Sequence, residues 1–223
     1  MLQKIRASNF GRHLHDDPYA SLLLSGCYEE AGDQGRFRLE AGDVVFHSKF
    51  EAHLDRFSKS GAIVLNLPMP MPTLRVAPLA TVRDPEMILR VANEDAHEAL
   101  QLVLSLSMSR KMPAMDWPDE LAAALLANPT TKLGHWAERY GLAPWSLTRG
   151  FAQVFGVSPE AFRARSRTRT ALKLIEATQR SMATISSELG FADQAHMTRS
   201  IVHLTGLNPK TCRNRANGFK TGS

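Results

Sequence analysis

The stretch 190–213, GFADQAHMTRSIVHLTGLNPKTCR, carries the side chains with the most specific chemistry in the chain. Gln194, His196 and Arg199 follow a Gly190-centred turn and an Asp193 that can cap, at a spacing that belongs to one short helix. An Arg fork can bind guanine, a Gln amide can pair with adenine, and a small apolar group such as Ala195 can meet a thymine methyl. A helix so furnished, set behind another by a Gly turn and stopped by Gly206 and Pro209, reads as the second half of a helix-turn-helix, the motif that puts one helix in a DNA groove. A second group lies near the N-terminus. His13 and His15 stand two apart, which on a strand points both to one face, and His53 follows the Gly42 turn. Three neutral imidazoles suit zinc, nickel, iron or copper. The competing reading is three hydrogen-bonded or exposed histidines in a binding barrel, whose mouth then takes a small molecule. His47 has no partner pattern and reads as structural.

The elements that must position the C-terminal residues occur twice. GVSPEAFRAR at 156–165 and GLNPKTCRNR at 206–215 share one Gly-apolar-x-Pro-x-x-x-Arg-x-Arg frame, each with a Ser158 or Asn208 that can cap and a Pro at the first helical position. Ahead of each frame comes a helix, a Gly141 or Gly190 turn and a second helix. Small Ala137 and Ser186 sit where paired helices approach closely. Leu147 with Phe151, and Met197 with Ile201, form the inner faces. The outward positions of the first copy are Trp145, Ser146, Thr148, Arg149 and Gln153, and those of the second are Gln194, Ala195, His196 and Arg199. Between the copies a helix over 159–178 carries Arg163, Arg165, Arg167 and Arg169. These are expected to contact phosphate, which gives affinity without sequence choice.

Charge agrees with this division. Residues 130–223 carry a net charge of +9 and residues 1–129 a net charge of −4. The positive part attracts a phosphate backbone and the negative part is repelled by it. No apolar run is long enough for a membrane span, and the N-terminus lacks a signal-peptide core. Cys27 and Cys212 stand far apart, so neither a disulfide framework nor a thiolate zinc site is supported. A cytoplasmic protein is expected.

From Tyr19 to Leu67, short apolar runs alternate with Gly, Asp and Glu, the punctuation of short strands and tight turns in a small barrel or sandwich. The run Pro68 to Pro72 is expected to end it. Helices follow over about 85–93 and 95–110, the second with an apolar face that can pack on the barrel or on another subunit. A further helix spans 117–127, and Asn128 to Thr131 form a linker. The expected class is α+β multidomain: a β-barrel over 1–72, a helical connector over 73–129, and an all-α tandem helix-turn-helix domain over 130–223.

Two resemblances follow from these residues. The segment Gly42 to His53 with the His13–His15 pair resembles the cupin pattern, in which a His-x-His strand and a later His meet inside a barrel around a divalent metal. The carboxylate of that pattern is missing at Tyr19 and Ala20, with Asp17 and Asp55 of suitable parity to replace it. Residues 131–215 resemble the AraC/XylS type of transcriptional regulator through Gly190, Phe191, Asp193, Gln194, His196, Arg199, Gly206 and Pro209. Met197, Ile201 and Cys212 stand where that type carries aromatic residues. The resemblance implies a sequence-specific regulator binding double-stranded DNA, with a cupin-like domain that senses a small-molecule effector or dimerises, and with RNA polymerase as a candidate partner. It implies no enzyme and no required cofactor; the rival is a metal-dependent cupin enzyme fused to a DNA-binding domain.

Overall fold

A computed structural model describes residues 2–69, 77–128 and 130–220. The chain divides into two units, Met1–Asp119 with Gln153–Gly156, and Glu120–Ala152 with Val157–Ser223. The first is built on an antiparallel sheet: β1 (Leu2–Ile5), β2 (Asn9–His15), β3 (Tyr19–Gly32), β4 (Gly35–Glu40), β5 (Asp43–His47), β6 (Glu51–Pro68), β7 (Leu79–Thr81) and β8 (Met108–Ser109). Long β6 pairs with β2 along its first half, with β1 along its second, and with β3 on its other side. Strand β3 also pairs with β4 and β5, and the order continues through β7 to β8. Strand β6 ends at Pro68, while positions 70–72 and the expected boundary after 72 lie outside the described residues.

Period-two alternation sorts the apolar side chains to two faces. Leu22, Val44 and Leu65 join one cluster with Ile88, Leu100 and Val103, which come from helices α1 (Pro85–Ala92) and α2 (Ala96–Leu106). Their neighbours Leu23, Val45 and Val64 join a second cluster with Tyr28 and Leu39. Leu22 and Leu23 are therefore both apolar, since each buries on its own face of the sheet. Asp84 and Asp95 cap the two helices, accepting from Met87 N–H at 2.8 Å and from His97 N–H at 2.7 Å. Helix α2 ends at Leu106, short of the expected 110, because Ser107 is extended and Met108 and Ser109 pair with β7. Thus part of the segment read as a connector belongs to the sheet unit. Gly26, at φ +86°, lets β3 and β6 meet closely, since a Cβ there would stand 2.1 Å from Gly61 O.

The second unit contains α4 (Leu133–Arg139), α5 (Pro144–Phe155) as far as Ala152, α6 (Pro159–Ala177), α7 (Met182–Glu188), α8 (Gln194–Thr205) and α9 (Pro209–Lys220), and α3 (Trp117–Ala127) from Glu120 on. The repeated frame repeats in structure. Ala161 N–H donates to Ser158 Oγ at 3.2 Å, and Thr211 N–H donates to Asn208 Oδ1 at 2.9 Å. The two inter-helix turns also match. Gly141 and Leu142 N–H donate to Glu138 and Ala137 O, as Gly190 and Phe191 N–H do to Ser187 and Ser186 O. Gly190 holds φ +70° with nothing within 4 Å of a built Cβ. Gly190→Ala is therefore expected to cost the left-handed strain alone, about 1–2 kcal/mol, read as a lower urea midpoint with an unchanged slope.

Candidate functional site

Each helix pair buries its inner face and leaves the outer face of its second helix bare. On α5, Leu147 and Phe151 are buried, whereas Trp145 is 67% exposed and Arg149 and Gln153 continue the exposed line one and two turns on. Ser146 and Thr148 flank that line, half-buried. On α8, Met197, Ile201 and Leu204 face inward, and Gln194, Ala195 and Arg199 are exposed. Asp193 caps α8 by accepting from His196 N–H at 2.6 Å. The His196 ring is half-buried and lies edge-on to Phe191, with centroids 5.4 Å apart, which sets it apart from the exposed line. Among the described residues, neither Arg149 nor Arg199 forms a hydrogen bond or ion pair within the protein, so both guanidinium forks are available to a ligand.

The α6 arginines do not form the expected phosphate row. Arg169 is buried at 8% exposure, and Arg167 donates to Gly190 O at 2.8 Å with its guanidinium 4.5 Å from the centre of the Phe191 ring. Arg163 reaches Thr131 O, as Arg213, its equivalent in the second frame, reaches Ile175 O and Arg180 O. Arg165 is half-buried. The reason is packing: α6 is the central helix, against which α7, α8 and α9 all rest. Arg163 and Arg167 thus tie the unit together, and Arg169 is enclosed in it. Arg167→Ala is expected to remove a backbone anchor and a cation–π contact worth together about 1–2 kcal/mol of stability. The salt dependence of DNA binding should keep its slope, whereas loss of a phosphate contact would lower it by about 1.

In the sheet unit the histidines come together. His13 and His53 are cross-strand partners on β2 and β6, with ring centroids 4.5 Å apart, and His15 lies 5.0 Å from His53. His47, expected to be structural, joins them with its ring 4.6 Å from that of His53. The pairings Glu30 with Asp55 and Tyr19 with His47 add two carboxylates and a phenol. Asp55 is the carboxylate whose parity was noted, and its Oδ2 lies 3.7 Å from His53 Nε2 and 4.0 Å from His13 Nε2. Asp17 does not appear among the grouped ligands. Glu30 is an addition. The groups line a cavity of about 660 Å³ whose other wall is apolar, with Ile5, Phe10, Phe57 and Val64.

Burial governs the electrostatics of this cavity. It pushes the His53 imidazole well below its ordinary value, helped by the three other histidines, so His53 is neutral and its approaches to carboxylates are not ion pairs. Burial, and then His13, lower His15 as well. Desolvation raises Glu30 well above the carboxylate range, with Asp55 and Glu51 adding to it, and brings Asp55 up to about 6. Several polar atoms have no hydrogen bond here: His15 Nε2, His53 Nδ1 and Asp55 Oδ1. Neutral imidazoles with orphaned nitrogens beside buried carboxylates fit a divalent cation. Phe50, three residues before His53, is in the left-handed region at φ 57°.

Residues 136–215 match the family of the helix-turn-helix domain. They are a DNA-binding domain of the AraC/XylS type. No curated protein matches the chain by sequence. Among solved structures, a probable AraC family transcriptional regulator from Rhodopseudomonas palustris is 22% identical, with 45% of this chain and 96% of that one covered and a TM-score of 0.42. ToxT from Vibrio cholerae is 9% identical over 97% of each chain, with a TM-score of 0.43. ToxT bound to an unsaturated fatty acid is 10% identical, covering 95% of this chain and 93% of that one, with a TM-score of 0.42. In the AraC-type domain, Met197, Ile201 and Cys212 are all buried. Their thioether, aliphatic and thiol side chains therefore occupy core positions. No described helix is long and apolar enough to cross a membrane.

Proposed function

We propose that this chain is a sequence-specific DNA-binding regulator of transcription whose sheet unit senses a small-molecule effector or a divalent metal ion. The observation that carries the reading is the pair of exposed lines, Trp145–Arg149–Gln153 and Gln194–Ala195–Arg199, each on the second helix of a helix-turn-helix in one AraC-type domain. Arg149 and Arg199 fork to guanine, Gln153 and Gln194 pair with adenine, and Trp145 and Ala195 meet thymine methyls, with Ser146, Thr148 and His196 at the margins. Helix α6, at 19 residues, measures about 28 Å, near one turn of B-DNA, so the two lines enter successive major grooves. Backbone contact falls to exposed cations such as Arg139, Lys210 and Arg215.

The sensor reading is supported by the cavity of the sheet unit, with His13, His15 and His53 as its metal ligands or as the polar contacts of an effector. Selection from random duplex DNA by the full chain tests the regulator reading. Enrichment of one sequence, with affinity falling steeply with salt, is expected. Equal retention of all duplexes would overturn it.

A further inference from the structure

The cavity contains a second ligand triad that the His-x-His resemblance does not point to. Glu30 on β3, His47 at the end of β5 and His53 on β6 are 2%, 1% and 3% exposed, and one ligand atom of each lies within 4.8 Å of the others. His47 Nε2 stands 3.7 Å from Glu30 Oε2, and His53 Nδ1 stands 3.9 Å from Glu30 Oε1. These separations are too long for hydrogen bonds. They are close to the edge of a tetrahedron of zinc-like bonds, about 3.4 Å for bonds of about 2.1 Å. His53 Nδ1 has no hydrogen-bond partner. The Tyr28 hydroxyl stands 3.5 Å from Glu30 Oε2, placed to orient the carboxylate as outer groups do in metal sites. By contrast, His13 and His15 are only half-buried.

We infer that the ion of the sheet unit sits in the inner triad Glu30–His47–His53, with His13 and His15 lining its approach. Two imidazoles and one carboxylate suit a borderline divalent ion such as zinc, cobalt, nickel or ferrous iron, with coordination positions left open toward the cavity. This deepens the sensor reading and rests on it, since both place the ligand in the same cavity.

Cobalt(II) titration of the chelator-treated full chain is the test. One equivalent is expected to bind with visible d–d absorption, and X-ray absorption of that complex to count two imidazoles and one carboxylate. Glu30→Gln and His47→Gln should each weaken binding by about 100-fold or more, and His13→Ala by less than about 10-fold. Three imidazoles without a carboxylate in the parent would overturn the inner assignment whether or not the variants fold. So would loss of cobalt from His13→Ala and His15→Ala with retention by His47→Gln; the outer group would then be the site and the sensor reading would stand. Absence of stoichiometric cobalt in the parent would overturn both the inner site and the metal form of the sensor. DNA selection by the same metal-free chain reports on the regulator separately.

Discussion

Replacing both Arg149 and Arg199 with Ala is expected to weaken binding to the selected duplex by about 2–6 kcal/mol, roughly 30- to 10⁴-fold, while leaving the unfolding midpoint of the protein unchanged. Each exposed fork that pairs with guanine contributes about 1–3 kcal/mol of discrimination, and the two stand on separate helices, so their losses should add. Neither side chain forms an internal bond among the described residues, and exposed substitutions of that kind shift stability by no more than about 0.5 kcal/mol. Affinity measured by fluorescence anisotropy, beside a urea titration, separates the two quantities. Loss of affinity on random duplexes by the same factor would make these arginines phosphate contacts.

The opposite pattern is expected at Phe151. Its ring is 0% exposed and meets the Phe162 ring edge-on, with centroids 5.4 Å apart, so α5 and α6 are joined there. Phe151→Ala removes that pair and leaves a cavity, costing about 3–5 kcal/mol, a large share of a stability of about 5–15 kcal/mol. The recognition line on α5 loses its support, so DNA binding falls together with the urea midpoint. Phe151→Leu, which keeps most of the volume, should cost less than about 2 kcal/mol and restore binding in proportion. Unchanged DNA affinity in a destabilised Phe151→Ala would mean that α5 is not a reader.

The C-terminal domain was legible because its punctuation is strict. Ser158, Asn208, Pro159 and Pro209 cap and open helices wherever they occur in such a frame, and Gly141 and Gly190 mark turns that need positive φ. The same stretch misled at the arginines. Residues two apart on a helix point to nearly opposite sides, so Arg163, Arg165, Arg167 and Arg169 could not all face a backbone. Their composition read as a basic stripe, whereas the packing of α7, α8 and α9 on α6 turns Arg163 and Arg167 into clamps and encloses Arg169. Only the packing of α7, α8 and α9 reveals that, and packing is not written in any local window.

In the sheet unit the strands were legible from alternation and the His13–His15 pair from parity, whereas His53 joined them only through the cupin resemblance. His47 carries a parity signal of its own. It shares parity with Val45, whose side chain belongs to the cluster on the cavity face, so it had to point the same way. Glu30 was harder to find. It is one of two adjacent glutamates, and which of them turns inward depends on the register of β3 with β6, where Glu30 meets Asp55 and Glu29 meets Arg56. The contribution of β7 and β8 was hidden for another reason: strands of three and two residues are too short to show a period.

The claim on which the account rests is that the AraC-type domain reads DNA with two helices, one through Arg149 and one through Arg199. Base preference at every position of the selected site, measured for the parent and for Arg149→Ala and Arg199→Ala singly, tests it most directly. Each variant is expected to relax preference in one block of bases, with the two blocks about 10 base pairs apart, one turn of the duplex. Relaxation of the same block by both variants, or of none by either, would contradict it.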